Sequence, residues 1–511
     1  MKRYFSILTA LCLASAMQAQ QTTPNDALRL TDKGLNGTAR YKAMSGAFGA
    51  VGGDLSAINI NPAGSALFNH NVTSFSFGYN DKKNTSNYFD TKNTKKDNGL
   101  ELGQMGAAFV FQSRNPESTM KKFVIGVNYE TTKNLNNTLY ASGVNPNNSL
   151  SDYFLDFANY GNNGYPFNPN DLAVATGESV DGVYAYLGRT QGIGAQQAFL
   201  GYQEFLYDYD ETQGKYISNM VDGPYLQENY ISATGFNGKL TGNFGTQLGD
   251  RIYLGANLNL HFVDYTNYSS AYQHTNNTNG IGITSMRFEN EIYTYGNGFS
   301  FNLGGIAQVT DELRVGLAYE SPTWYRLNDE LVQSLSTVWR NDDKTLDAQN
   351  TTPNVVNVYD KYTVQTPASF TGSLAYVFAQ KGLLSVDYTL KDYSNTKMKP
   401  TQDFSYVNGI LSNDLTTTSE IRIGAEYRIN QFSVRGGYRF EESPYKSEKV
   451  LGDLNSYSAG IGYDFGASKL DLAYGHASRS YNTNFISSGM TDAARVNTKE
   501  NVVSLTYSIK F

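Results

Sequence analysis

The feature that most constrains this chain is a strict alternation of apolar and polar residues. Near the C-terminus, every second residue from Val503 to Phe511 is apolar, and the residues between them are mostly polar. Side chains of a strand point to opposite faces with a period of two, so such a stretch predicts a strand with one apolar face. The same pattern marks 251–268, 419–430 and 432–441.

Repetition of this pattern predicts a closed antiparallel barrel of about fourteen strands, an all-β transmembrane fold. An even number of strands of about ten residues suits a barrel in lipid, because an open sheet edge would leave backbone groups without partners. The mean hydropathy of −0.44 does not oppose this, since only alternate residues face lipid. The predicted strands are 72–79, 103–112, 123–131, 236–248, 251–268, 293–309, 313–326, 365–378, 383–393, 419–430, 432–441, 456–466, 469–478 and 501–511.

The links between these strands alternate between short and long. The short links are Arg114–Lys122, Gly249-Asp250, Thr310–Glu312, Ala379–Gly382, Asn430-Gln431 and Ala467-Ser468. The long links are 80–102, 132–235, 269–292, 327–364, 394–418, 442–455 and 479–500. This layout is typical of barrels in the outer membrane of Gram-negative bacteria, with the long loops outside. We therefore expect outer-membrane lipid to contact the apolar faces, and Phe511 resembles the terminal aromatic residue that the barrel-assembly machinery recognises.

The N-terminus predicts export. Lys2 and Arg3 precede an apolar run from Tyr4 to Met17, which indicates a signal peptide over 1–19, with cleavage after Ala16 or Ala19. The only cysteine, Cys12, lies within it, so the mature chain has no disulfide. Removing Lys2 and Arg3 leaves 38 basic and 47 acidic residues, a charge of −9, which argues against nucleic acid as a partner.

Residues 20–70 do not alternate. The glycine-rich run 46–53 lacks the Gly-Lys-Ser/Thr ending of a phosphate loop. A flexible leader is one interpretation of the segment. Packing is the other, because its apolar residues offer surface to bury and Asn61-Pro62-Ala63 is turn chemistry. These apolar residues are Ala57, Ile58, Ile60, Ala63, Ala66, Leu67 and Phe68.

Within this segment the chain resembles the FadL/TodX family of outer-membrane transporters for hydrophobic compounds. The resemblance rests on Gly46-Ala47, on Asp54-Leu55-Ser56-Ala57 and on Asn61-Pro62-Ala63-Gly64 just before the first strand. It implies that 20–70 is a hatch that plugs a barrel spanning 71–511. The implied hatch residues are Asp54, Ala57, Asn61, Pro62, Ala63 and Gly64.

The resemblance also implies a function, which is passive uptake of hydrophobic small molecules such as long-chain fatty acids. Extracellular loops would capture the ligand, which would pass the hatch and leave sideways through a gap at a kinked third strand. Here that strand is Phe123–Thr131, and Gly126 could weaken it. The implied gate residues are Gly126, Val127, Asn128 and Tyr129.

A long, presumed extracellular insertion follows the third strand over 132–235, and part of it is predicted to be helical. Helical spacing relates Leu150, Tyr153, Phe154, Phe157 and Ala158, and also Val180, Val183, Tyr184 and Leu187. These faces either pack on each other to cap the barrel or form a hydrophobic capture groove. The groove would make Tyr153, Phe154, Phe157, Val183, Tyr184 and Leu187 ligand-binding residues. In the best-known relatives the binding loop instead follows the fifth strand, where this chain has only 269–292.

Nothing in the sequence predicts an enzyme, a cofactor or a metal site. HExxH and GxSxG are absent, and the four histidines are scattered. Asp208–Gly214 begins like a calcium loop, but its glycine falls one position late. Two alternatives to transport stay open: a barrel of the same superfamily that serves a protein-secretion machine, and a structural or adhesive barrel.

Overall fold

The computed structural model describes residues 23–32, 34–115, 117–162, 164–379, 381–486 and 492–511, so the predicted signal peptide lies outside the described residues. The strands are β1 (Val72–Tyr88), β2 (Thr91–Gln112), β3 (Met120–Asn134), β4 (Asn137–Asn145), β5 (Tyr207–Asp210), β6 (Lys215–Ser218), β7 (Tyr225–Leu248), β8 (Ile252–Thr275), β9 (Gly282–Gln308), β10 (Leu313–Glu320), β11 (Trp324–Arg340), β12 (Leu346–Thr351), β13 (Asn357–Val358), β14 (Tyr362–Gln365), β15 (Ser369–Phe378), β16 (Gly382–Asp392), β17 (Lys397–Lys399), β18 (Thr417–Ile429), β19 (Phe432–Glu441), β20 (Leu454–Asp464), β21 (Ser468–Asn484) and β22 (Ala493–Lys510).

Fourteen antiparallel strands form the wall, three of them built from two consecutive segments each: β3 with β4, β10 with β11, and β14 with β15. The last strand closes the ring, because β22 pairs with β1 from Lys510 opposite Val72 to Arg495 opposite Asn87. Closure gives every strand two neighbours, as lipid requires. The prediction of a closed barrel of fourteen strands is confirmed.

Exposure follows the alternation that the sequence shows. Phe77 is 58% exposed, whereas its neighbour Ser76 is fully buried. Phe77 pairs with Leu505, which is 47% exposed on the adjacent strand. The apolar faces therefore form a continuous outer belt, and the polar faces point into the barrel.

The strands are longer at one end than the sequence pattern predicts. β1 continues to Tyr88 and β2 begins at Thr91, so most of the predicted loop 80–102 is a hairpin that turns at Phe89 and Asp90. Beyond the lipid, neither face has to be apolar, and polar residues continue the backbone ladder without alternation. The opposite end has short turns, as predicted; β18 and β19, for example, are separated only by Asn430 and Gln431.

Helices occupy the long insertion and the N-terminal segment. They are α1 (Pro24–Thr31), α2 (Ala39–Ala43), α3 (Asp152–Tyr160), α4 (Pro169–Leu172), α5 (Val180–Gln191), α6 (Ile193–Gln203) and α7 (Ser405–Asp414), with 3-10 helices at Ser56–Asn59, Pro62–Leu67 and Tyr393–Asn395. The two predicted helical faces thus lie on α3 and α5. None of the helices in the described ranges is long and apolar enough to cross a membrane.

The insertion folds into a cap over one end of the barrel, formed by α3 to α6 and the β5–β6 hairpin. The loop is shorter at both ends than the predicted 132–235, because β4 and the first part of β7 are paired strands. Phe154 and Phe199 of the cap are fully buried in one hydrophobic cluster with Phe288 and Leu335 of the wall.

The barrel orientation predicts a clear difference between two substitutions at one position. Ile423 on β18 is 39% exposed on the outer face. Ile423→Arg should cost about 2–4 kcal/mol of folding free energy if the site lies near the bilayer midplane. Urea titration of the barrel in phospholipid vesicles measures this cost.

Ile423→Leu is the matched control, because it keeps an apolar side chain of similar volume and should change stability little. Equal stabilities of the arginine and leucine variants would show that this face does not contact lipid.

Candidate functional site

The N-terminal segment fills the lumen as a plug. Its helix α2 packs against β19 to β22, and the 3-10 helix Pro62–Leu67 packs against β3, β7, β8 and β9 on the other side. Met44, Ala47 and Phe48 are fully buried between these walls. The predicted hatch is therefore a packed element inside the barrel and not a flexible leader.

Glycines in the wall let the hatch approach closely. A Cβ at Gly255 of β8 would lie 2.3 Å from the backbone carbon of Pro62, and one at Gly304 of β9 would lie 2.1 Å from Asn61 Oδ1. Any larger residue at either position would displace the hatch. The glycine-rich composition of the strands thus serves packing inside the lumen.

Asn61 is the residue that ties the hatch to the wall most directly. Its amide nitrogen donates to the carbonyl of Gly49 at 2.8 Å and to that of Gly305 in β9 at 3.1 Å. Its Oδ1 accepts from the backbone N–H of Ala63 at 3.1 Å and so caps the 3-10 helix. Asn243 of β7 adds a bond to the carbonyl of Pro62 at 3.1 Å.

The other predicted hatch residues hold the segment together internally. Asp54 accepts from the Thr38 hydroxyl at 2.8 Å and from the Ser56 backbone N–H at 2.9 Å. Ala57 is fully buried, and Gly64 lies close to it and to Gly52. All six predicted positions, Asp54, Ala57, Asn61, Pro62, Ala63 and Gly64, are buried within the plug.

Charged wall residues also anchor the hatch, a role that the sequence did not reveal. Asp387 of β16 accepts from the backbone N–H groups of Phe48 and Gly49, each at 3.0 Å. Glu426 of β18 binds Arg40 of the hatch at 2.8 Å and Arg435 of β19 at 2.7 Å. The alternation places both carboxylates on the lumen face, but only the folded hatch brings the N–H groups and Arg40 to them.

The predicted gate residues lie in an unbroken part of the third strand, and their role in a gate stays a prediction. Gly126 pairs with Ala108 of β2 and with Asn243 of β7, and Tyr129 pairs with Met105 and Leu240. Val127 and Asn128 lie between them in the same unbroken ladders. A glycine alone does not interrupt a strand whose backbone groups are paired on both sides.

The third strand is instead interrupted a few residues further on. The β2–β3 ladder ends where Gln104 pairs with Glu130. On β2 the register skips Gly103, which forms a bulge against β1, and on β3 the register with β7 skips Thr132. Two bulges at one level bend the two strands away from each other.

Beyond this point β4 lies on the lumen side of the β1–β2 hairpin. Inward side chains of β1 bind its backbone carbonyls: Lys82 donates to Asn136 at 2.7 Å, and Asn84 donates to Thr138 at 2.8 Å. β4 pairs with β7 alone, and the part of β2 from Thr91 to Gly103, all of it described, forms a ladder only with β1. The wall therefore has a break between β2 and the third strand.

This break lies at the depth of the apolar belt. Leu102, next to the Gly103 bulge, is in register with Phe77 and through it with Leu505. Leu100 is 83% exposed on the outer face.

The hatch reaches the break from inside the barrel. The backbone N–H of Gly34 donates to the carbonyl of Thr132 at 3.0 Å, and Asp32 pairs with Lys133 at 2.5 Å. A cavity of about 120 Å³ lies beside them and is lined by residues including Leu35, Glu101 and Asn134.

The six predicted ligand-binding residues lie in the cap. Tyr153, Phe154, Tyr184 and Leu187 are at most 1% exposed, Val183 is 9% exposed, and Phe157 packs against the same cluster. Their burial is explained by packing within the cap, and their role in binding a ligand stays a prediction.

A larger cleft of about 850 Å³ lies on the opposite face of α5. It is lined by Ala185, Arg189, the segment 355–362 and Phe404.

The acidic sequence at Asp208–Gly214 forms the turn of the β5–β6 hairpin. The Asp210 carboxylate accepts from the backbone N–H groups of Thr212 and Gln213 at 2.8 and 3.1 Å. These bonds lower the pKa of the exposed Asp210. The described part of the chain contains no group of three or more acidic, histidine or cysteine side chains that could hold a metal ion.

A closed barrel of fourteen strands is typical of the outer membrane, and the plug in its lumen distinguishes this protein from an open, water-filled porin. The family model described as "Outer membrane protein transport protein (OMPP1/FadL/TodX)" matches residues 235–511, and the chain belongs to this family. It is therefore a Gram-negative outer-membrane transport protein and not an enzyme.

Solved structures with the same fold span almost the whole chain. A FadL homologue of Pseudomonas aeruginosa is 12% identical, with a TM-score of 0.53 over 94% of this chain and 99% of that one. The toluene transporter TodX of P. putida is 12% identical, with a TM-score of 0.51 over 93% of this chain and 99% of that one. At such identities the likeness is one of fold. No curated protein sequence matches the chain.

The anchoring of the hatch predicts the effect of removing it. Deletion of residues 31–60 should leave a folded barrel, because the backbone ladders of the wall join strand to strand and do not include the hatch. The emptied lumen should then conduct small ions, which planar-bilayer recordings measure.

Asn61→Ala is the milder variant for comparison with the deletion, because it removes the hydrogen bonds to Gly49 and Gly305 but leaves the lumen filled. It should not raise the conductance. A folded deletion variant that conducts no more than the parent would show that the segment does not seal the barrel.

Proposed function

We propose that the protein takes up hydrophobic small molecules, such as long-chain fatty acids, by passive diffusion and releases them sideways into the membrane. The break between β2 and the third strand carries this proposal. It lies at the depth of the apolar belt and opens beside a lumen cavity, and a short part of the hatch occupies it from within.

The hatch makes a straight route through the barrel unfavourable. The plug between Ala39 and Leu67 is bonded to the wall at Asp387, Glu426 and Gly305. A ligand that crossed to the periplasm would have to break these contacts. The sideways route leaves these contacts in place. Among the described residues it displaces the Gly34–Thr132 hydrogen bond and the ion pairs of Asp32 with Lys133 and Arg479. It also displaces the hydrogen bonds that Thr131 and Asn134 donate across the gap to Leu102 and Glu101.

The outer cleft supports the choice of an amphipathic ligand. Val356 and Val358 line it and are 53% and 69% exposed, which is a high exposure for apolar side chains. Arg189 and Lys361 line the same cleft, together with the acidic residues Asp360 and Asp403. Apolar surface next to charged groups suits a ligand with an apolar chain and a polar end.

The six buried cap residues belong to a later step of this proposal. Tyr153, Phe154, Phe157, Val183, Tyr184 and Leu187 would contact the ligand only when the cap opens, since they fill its core in the closed form.

Crosslinking across the break tests the sideways route. The Asn134 amide donates to Glu101 at 3.1 Å, so the two side chains meet across the gap. In Glu101→Cys/Asn134→Cys, dibromobimane should join β2 to β3 and abolish most uptake of a fluorescent long-chain fatty acid. The mature sequence contains no cysteine, so these two thiols are the only targets.

Two controls separate the effect of joining β2 to β3 from the effects of the added reagent and of crosslinking in general. Monobromobimane on Glu101→Cys adds similar bulk without joining the strands. Crosslinked Thr85→Cys/Thr94→Cys ties β1 to β2 in the outer hairpin, where the two residues already pair. Both should keep uptake near the parental rate, and undiminished uptake by the protein tied across the break would contradict sideways release.

Native mass spectrometry tests the ligand class. Gently extracted protein should carry an apolar molecule that Val358→Glu reduces, because a charge would enter the apolar part of the cleft. Protein that carries no such molecule but co-purifies with secretion components would favour the secretion alternative.

A further inference from the structure

Three lysines stand side by side on the outer face of the barrel. Lys83 of β1 pairs directly with Lys96 of β2 on one side and with Lys499 of β22 on the other. All three side chains are exposed. We call Lys96, Lys83 and Lys499 the lysine row.

Such a row is unfavourable unless an anion covers it. Residues directly opposite each other on neighbouring strands have Cβ atoms about 5 Å apart, and like charges at this distance repel. None of the three lysines forms an ion pair within the described residues. The carboxylates of the flanking residues face inward: Asp97 binds the Thr138 hydroxyl, and Glu500 binds Asn80. Asp81 is the one acidic residue in the neighbouring outward row, where it pairs with Asn98 and Asn501.

The height of the row matches the lipid head groups. Tyr79, Leu100 and Val503 form the last apolar row of the belt on these strands. Lys83 follows Tyr79 by four residues, which is about 13 Å along the strand and roughly 10 Å along the membrane normal for a tilt of ~40°. Head groups occupy about 5–8 Å on each side of the hydrocarbon, and lysine side chains can bend back toward them.

The row is a local feature and not a property of the whole rim. Across the barrel, the outward charges are of both signs, because Arg287 of β9 and Arg326 of β11 are exposed on the same strands as the acids. Tyrosines bind two of these acids. Tyr293 donates to Asp264 at 3.1 Å, and Tyr295 donates to Glu330 at 3.2 Å. Asp264 and Glu330 thus have partners within the protein, whereas the three adjacent lysines have no ion pair within the described residues, which indicates an external anion.

We infer that the lysine row binds the phosphate head group of an anionic lipid in the outer leaflet. Three ammonium groups at one level offer a phosphate several donors at once and relieve their mutual repulsion. Because Lys96 lies on β2, the bound lipid would stand on the strand that borders the break in the wall.

The test compares the parent with Lys83→Gln/Lys96→Gln/Lys499→Gln in vesicles of phosphatidylcholine, with and without one-fifth phosphatidylglycerol. The anionic lipid should raise the thermal unfolding temperature of the parent, and the triple variant should lose this gain. Native mass spectrometry should show retention of phosphatidylglycerol falling on the order of fivefold for each lysine removed.

Lys215→Gln/Lys344→Gln/Lys397→Gln is the matched control, because it removes the same charge from exposed positions away from the row. This control should respond to phosphatidylglycerol like the parent. In phosphatidylcholine alone, the triple variant of the row should be at least as stable as the parent, since the repulsion is gone.

An equal response of the parent and of the row variant to phosphatidylglycerol would overturn the inference. So would a loss of the response in the control variant, which would show that net charge alone is responsible. Stabilisation of the detergent-solubilised parent by inorganic phosphate to the same extent would overturn the assignment to lipid.

Discussion

The structure depends on one constraint, which is that no backbone hydrogen-bonding group can be left without a partner in lipid. The pairing of β22 with β1 satisfies it by closing the ring. The same constraint makes the break at Gly103 and Thr132 significant. Within the described residues, β4 forms no ladder with β2, and the carbonyls of Asn136 and Thr138 at its start instead accept from Lys82 and Asn84 of β1 inside the barrel. A break in the wall of a membrane barrel needs other contacts to stabilise it, so its presence suggests a functional role.

The charged residues of the lumen mainly hold the hatch in place and do not line an open channel. Glu426 alone binds Arg40, Arg428 and Arg435, so one carboxylate joins the hatch to two strands. Glu426 is buried, so removing one of its partners would leave a buried charge without compensation. The free-energy cost of that is larger than the net stabilisation that the ion pair provides. Such contacts fix the position of the hatch, and they explain why an outer-membrane barrel can be so polar inside without being an open channel.

Much of the wall could be predicted from the sequence, because lipid imposes alternation wherever a strand crosses it. Leu505 and Ile423 lie on the outer face, as the alternation predicts. The outer extensions, such as the part of β1 from Asn80 to Tyr88, could not be predicted in this way. Water and protein surround them, and neither selects for an apolar face.

The sequence predicts a weak point of the third strand at Gly126, whereas the break in the wall lies at Gly103 and Thr132. Gly126 was the more conspicuous glycine, yet its backbone is paired on both sides. Gly103 lies at the start of a predicted strand, where a bulge and a strand end look alike in sequence. Only the pairing partners distinguish them, and the same holds for Asp387 and Glu426, whose partners are more than three hundred residues away. Contacts over such distances leave no local pattern.

Two barriers lie in series between the outside and the membrane, the cap and the contact at the break, while the hatch body closes the separate route to the periplasm. The three are held with different strength. The cap has a large hydrophobic core, and the hatch body is fixed by Asn61, Asp387 and Glu426. Among the described residues, the hatch is held at the break by fewer contacts, which are one backbone hydrogen bond at Gly34 and the ion pairs of the partly exposed Asp32 with Lys133 and Arg479. Partly exposed ion pairs contribute about 1 kcal/mol or less, so this part of the hatch can detach while the rest stays in place. The lumen would then open toward lipid without opening toward the periplasm, which is the order of events that a passive carrier of apolar molecules needs to avoid leaking polar solutes.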